Sequence, residues 1–161
     1  MVAIENISTK QIWKLLEEIP DPELPALSIV DLGIVREVKM NYGVIEIIVT
    51  PTYSGCPAMD IIRMNIRLSL IEQGYRNIKI TTVLSPAWTT AWMNEKAKQK
   101  LKEYGIAPPI AQSFEEKNIE IKCPLCNSAN TKMISEFGST ACKALYQCND
   151  CREPFDYFKC H

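Results

Sequence analysis

Four of the seven cysteines stand in two C-x-x-C pairs, Cys123-Pro-Leu-Cys126 and Cys148-Asn-Asp-Cys151, with 21 residues between them. Two residues between thiolates let one tight turn present both sulfurs to a single ion, and two such turns complete a tetrahedron. The intervening chain reads as a strand over Thr131–Glu136, a turn at Phe137-Gly138-Ser139 and a strand over Ala141–Gln147, which is a β-hairpin. That combination predicts a zinc ribbon, although 21 lies one residue beyond the usual window. A rubredoxin-like centre, with one iron on four cysteines, uses the same two turns, but glycine usually follows the second cysteine of such a knuckle. Asn127 and Arg152 stand there instead. Four thiolates can also hold a [2Fe–2S] or [4Fe–4S] cluster. Two disulfides are the duller alternative and fit poorly with a reducing compartment.

Three further groups near the end have two readings. Cys142 reads as a small buried residue on a hairpin strand, and Cys160 lies near the end of a last strand over Phe155–Cys160. The functional alternative joins Cys142, Cys160 and the single histidine, His161, in a secondary metal or redox site.

The seventh cysteine is alone. Cys56 lies in Thr50-Pro-Thr-Tyr-Ser-Gly-Cys-Pro-Ala58, between a strand and a helix. Unpaired N–H groups at a helix start lower a thiol pKa and favour thiolate. One thiolate cannot hold a cluster, yet with help from a partner it can receive or pass iron. With the only histidine at the final position, Cys56 has no base for hydrolytic catalysis. Asp21, Glu23 and Asp31 cluster in DPELPALSIVDLG. Turn or helix capping by Asp21 and Asp31 competes there with catalysis and is the commoner use.

Positioning these groups requires two units. Residues 1–112 carry only Cys56 and are long enough to bury a core, whereas residues 113–161 need a staple. Tyr104 to Pro109, with its Pro-Pro pair, reads as a linker. In the front unit Ser8 starts a helix with Gln11 as capping-box partner, and Ile12, Leu15, Leu16 and Ile19 form its apolar face. Pro20, Pro22 and Pro25 force an irregular loop. Strands follow at Ile34–Met40 and Val44–Thr50, joined by Asn41-Tyr42-Gly43; Arg36 breaks the alternation of the first. A helix spans Ala58–Gln73, with Ile61, Met64, Leu68 and Ile71 as its expected buried stripe. Then come a strand at Asn77–Val83, parallel to the second, and a helix at Thr90–Tyr104. Trp88 and Trp92, four apart, read as core or docking surface. The fold class is α/β (α+β): a small α-β-β-α-β-α mixed-sheet domain plus a C-terminal zinc-ribbon hairpin with four cysteine ligands.

Composition removes several classes. The 161 residues are 47% apolar and 23% charged, with net charge −1, which excludes a disordered chain and gives no electrostatic reason to expect nucleic acid. No stretch approaches the ~18 apolar residues of a membrane span, and MVAIENISTK lacks the layout of a secretory signal. A cytoplasmic setting is the expectation.

DPELP, DLGIV, TPTYSGCPAMD and SPAWTT resemble the iron–sulfur cluster assembly domain of accessory proteins in cluster biogenesis, a family with this same element order. ISEFGSTACKALYQCNDCREPFDYFKC is similar to the tail of the D subunits of bacterial phenylacetyl-CoA 1,2-epoxidase systems, in which that domain is fused to a Cys-rich end. The resemblance implies an accessory, non-catalytic role in aerobic phenylacetate breakdown, assisting the maturation of iron or iron–sulfur centres. The implied partners are the separate oxygenase and reductase subunits. A stoichiometric structural subunit and an electron-transfer protein with redox iron remain as alternatives, and self-association is open. By position, the resemblance assigns cluster or iron transfer to Cys56 with Asp21, Glu23 and Asp31, and Zn2+ binding to Cys123, Cys126, Cys148 and Cys151. Relatives show Asp where this chain has Ala91. The chain has no E-x-x-H pair and no dinucleotide fingerprint, so a di-iron oxygenase site of its own is not expected.

Overall fold

The computed structural model describes residues 8–110 and 120–159. Its contacts divide the chain into two compact units, Met1–Trp88 and Thr89–His161. The boundary expected at residue 112 lies outside the described residues. The third helix, assigned from the sequence to the front unit, groups instead with the tail.

In the first unit α1 (Thr9–Glu17) begins at Ser8, whose backbone N–H donates to Gln11 Oε1 at 3.3 Å. Ile12 and Leu16 are fully buried, and Ile19 follows them inward. Strands β1 (Val35–Asn41) and β2 (Val44–Val49) form an antiparallel hairpin. Tyr42 and Gly43 make its turn at φ 49° and 79°, the left-handed values of a two-residue turn that matches strand twist. The break in alternation at Arg36 is a β-bulge: pairing jumps from Val35↔Val49 to Glu37↔Ile48. The extra residue lets Val35 and Val38 face the core together.

Helix α2 (Ala58–Glu72) crosses to β3 (Ile78–Thr82), which pairs parallel with β2 in the sheet order β1-β2-β3. Its inward face is Met59, Ile62, Ile66 and Leu70. The stripe expected to be buried, Ile61, Met64, Leu68 and Ile71, is outside. Both stripes have helical spacing, so periodicity alone could not choose between them. The sheet and α1, which α2 packs against, decide it.

In the second unit the predicted helix over 90–104 is shorter. Thr90–Trp92 is a single 3-10 turn, and α3 (Glu95–Glu103) starts after Asn94, whose Oδ1 accepts from the Ala97 amide at 2.7 Å. A side-chain oxygen that captures a free amide sets the first helical residue. Trp88 lies ahead of both the 3-10 turn and α3. It is buried in the first unit, where its Nε1 donates to the Leu32 carbonyl at 2.8 Å. The expected linker also differs: Ile106–Ala107 forms β4, which pairs parallel with β7 (Pro154–Phe158). The prolines at 108 and 109 stop it after two residues. With β5 (Thr131–Ser135) and β6 (Lys143–Cys148) the sheet order is β4-β7-β6-β5. Ala107, Ile121, Cys123, Ala144, Cys148, Phe155 and Tyr157 form its buried cluster. Among the described residues no helix is long and apolar enough to cross a membrane.

Candidate metal centre and cysteine loop

Two knuckles meet at the end of the second sheet. The first precedes β5; the second joins β6 to β7. The Sγ atoms of Cys123, Cys126, Cys148 and Cys151 all lie within 4.8 Å of one another, with Cys123–Cys151 at 3.8 Å and Cys126–Cys148 at 3.5 Å. Thiolates about 2.3 Å from one ion stand about 3.8 Å apart at the corners of a tetrahedron, so this donor set fits a single four-coordinate metal. A multi-iron cluster binds its thiolates at different irons and needs them spread further. Asn127 and Arg152, each following a second cysteine, adopt φ 63° and 67°. The knuckles thus have the left-handed residue that glycine usually supplies. The missing glycines therefore do not separate a zinc site from a rubredoxin-like one.

Crowding four thiols splits their proton affinities. Backbone N–H groups of Cys151 and Asp150 bring Cys148 down to about 7. Cys151 accepts from the Glu153 amide, which lowers it, but burial and the neighbouring thiols outweigh that and push it to about 12. One sulfur ionises readily and the last resists. Only a bound cation makes four thiolates compatible at this distance.

A polar clasp joins the knuckles from outside. Asp150 accepts from the Ser128 hydroxyl and, at 2.8 Å, from Asn130 Nδ2; Asn149 Nδ2 donates to Asn130 Oδ1 at 2.9 Å. These bonds hold the Asp150 carboxyl below its ordinary range. Sequence reasoning missed this clasp, although the Asn and Asp residues beside the thiols were its signal. Asp150→Ala is expected to speed metal transfer to a colorimetric chelator by about tenfold to a hundredfold. An unchanged release rate would show that the sulfurs alone set retention.

Cys142 is buried beside the Thr140 hydroxyl, 3.0 Å from its Sγ, and lies outside the four-sulfur group. Cys160 and His161 fall outside the described residues.

In the first unit the loops bearing Asp21, Glu23 and Cys56 come together. Asp21 is buried, and its Oδ1 accepts from the Glu23 and Leu24 amides at 2.9 and 2.8 Å. Asp31 and Ser28 cap each other's amides at 3.2 and 3.0 Å. Both aspartates thus brace the loop. The Tyr53 hydroxyl, from the cysteine loop, lies 3.4 Å from Glu23 Oε1. Cys56 is half-buried ahead of α2. Its pKa is raised, contrary to the helix-start expectation. Burial is the largest cause; the Ala58 amide lowers it, but Glu23 and Asp21 raise it again. Desolvation and two carboxylates outweigh the helix-end amide and the hydrogen bond with Tyr53. Glu23→Gln removes one of the charges and is expected to about double the rate of Cys56 alkylation at neutral pH. A slower rate would reverse the sign of that coupling.

Residues 107–159 match the PaaD zinc beta ribbon domain, and residues 9–73 match the iron-sulfur cluster assembly protein family. An Escherichia coli (strain K12) protein, provisionally named as the D subunit of 1,2-phenylacetyl-CoA epoxidase, is 53% identical over 152 residues, 93% of this chain and 92% of its own length. The chain belongs to the family of phenylacetyl-CoA epoxidase D subunits. A shorter relative from Porphyromonas gingivalis (strain ATCC BAA-308 / W83), an Fe-S protein maturation auxiliary factor, is 30% identical over 60% of this chain and 94% of its own. The crystal structure of a domain of unknown function, DUF59, from Bacillus anthracis superposes with a TM-score of 0.54 at 29% identity, covering 57% of this chain and 89% of that one. The chain thus joins a stretch that matches the iron-sulfur cluster assembly family to one that matches the zinc beta ribbon, as the resemblance implied.

Proposed function

We propose that this chain is an accessory subunit of a phenylacetyl-CoA epoxidase, assisting assembly of the iron or iron–sulfur centres of its oxygenase and reductase partners in the cytoplasm. The ribbon holds Zn2+ through Cys123, Cys126, Cys148 and Cys151; the ion supplies structural cross-linking, and the reactive part lies elsewhere. Cys56 receives the cargo, with Glu23 and Asp21 drawing the cation toward it and Asp31 holding the loop. The observation that supports this most is the placement of a half-buried thiol within electrostatic reach of two carboxylates. Burial, with the carboxylates adding to it, keeps the thiol protonated until a cation arrives. The cation then takes the sulfur and releases the proton, a balanced exchange that needs no oxidant. Two of its relatives, aligned over 100 and 97 residues, are named Fe-S protein maturation auxiliary factors.

Cys56→Ser is expected to fold as the parent does, yet to give co-expressed epoxidase with iron occupancy reduced at least about tenfold, read by elemental analysis and visible absorption. Fully metallated epoxidase would leave a binding-only subunit. A ribbon that carries iron and an iron–thiolate absorption band would instead favour electron transfer.

A further inference from the structure

Helix α2 has two apolar faces, and only one meets the core. Ile61, Met64, Leu68 and Ile71 lie on the opposite side from Ile62, Ile66 and Leu70 and remain 44–55% exposed. They stand one above another along about 15 Å of helix, a contiguous patch of the sort that marks an interaction surface. Neither the metal centre nor the cysteine loop uses it.

The stripe is symmetric about its own midpoint. Ile61 and Ile71 are each five residues from Ile66, and Met64 and Leu68 each two. We propose that a second copy of this chain covers this face, with the two α2 helices antiparallel across a twofold axis at the level of Ile66. Ile61 then meets Ile71 of the second copy, and Met64 meets its Leu68. In a face that contacts itself, residue i meets j and j meets i, and this mirrored spacing lets every apolar residue of the stripe find an apolar partner. Charge agrees with the same arrangement. Helical geometry places Asp60 and Arg67 on one flank of the stripe, and the twofold brings Arg67 about 7.5 Å along the axis from Asp60 of the second copy, within guanidinium reach. Asp60 is 86% exposed even while paired with Arg63, so it has room for a second cation. Four side chains per copy fall well short of the roughly 800 Å² per partner of a stable complex. The dimer is therefore weak and concentration-dependent. It does not rest on the proposed role of Cys56 or of the ribbon.

Sedimentation equilibrium of the full metal-loaded chain, from about 1 µM to about 1 mM, tests this directly. A monomer–dimer equilibrium is expected. Leu68→Glu and Met64→Glu, both at exposed positions, should leave the far-UV spectrum intact and raise Kd at least about tenfold. Arg67→Glu should weaken the dimer, and pairing it with Asp60→Arg should restore it. A chain that stays monomeric throughout overturns the proposal, even if an epoxidase subunit binds the stripe. So does a dimer indifferent to Leu68→Glu and Met64→Glu.

Discussion

Cys148→Ser is expected to unfold residues 120–159 while residues 8–88 keep their native spectrum. The reason lies in the composition of the ribbon's core. Two of the seven residues in its buried cluster, Cys123 and Cys148, are themselves thiols of the metal centre, and two more are alanines. Phe155 and Tyr157, with Tyr146 stacked on Phe155 at 5.9 Å and edge-on to Tyr157 at 5.7 Å, supply most of the rest. With two of its members held by the metal centre, this cluster loses its packing when the ion leaves, and structural Zn2+ contributes about 10–16 kcal/mol in small zinc-finger peptides. Chelation should act as the substitution does, and its effect should grow as pH falls. Binding the ion removes protons from thiols such as Cys151, poised at about 12, so acid favours the protonated, metal-free state. Amide NMR of the whole chain, with and without chelator, reads this directly. Dispersed ribbon resonances in the stripped protein would show that the apolar cluster suffices.

Trp88→Ala should destabilise the first unit by about 3–5 kcal/mol. Trp88 is 2% exposed, and its indole N–H satisfies the Leu32 carbonyl on the loop that also carries Asp31. The alanine variant leaves a large cavity and strands that carbonyl. Trp88→Phe refills part of the volume but still loses the donor, and should cost about 1–3 kcal/mol. Chemical denaturation followed by circular dichroism separates the two. A loss below about 1 kcal/mol for Trp88→Ala would mean that the loop is held by other contacts.

These two sites differ in how legible they were. The grouping of the four ribbon thiols was plain from spacing, because two C-x-x-C turns have few other uses. The chain order of α1, β1, β2, α2 and β3 was equally plain, because capping, alternation and turn residues act within a few residues of one another. Even the bulge left a mark at Arg36. Trp88 was read only as core or surface, since its partner is 56 residues away. Strand β4 was read as linker because two residues have no period; only pairing with β7 makes them a strand. Periodicity points to the outer stripe of α2 as readily as to the inner one, and packing alone selects Ile62, Ile66 and Leu70.

The cysteine loop shows the division most clearly. Sequence alone determined that Cys56 precedes a helix, that acidic residues cluster some 30 positions earlier, and that the tail carries four thiols in metal-binding pairs. Those are local facts, set by covalent order and short-range turn chemistry. The tertiary structure decided that Glu23 and Asp21 come within electrostatic reach of Cys56, that burial with their charge raises its pKa, and that Asp150 clasps the two knuckles together. Electrostatics and desolvation depend on distance through space, and chain separation says little about that until the fold has brought the loops together.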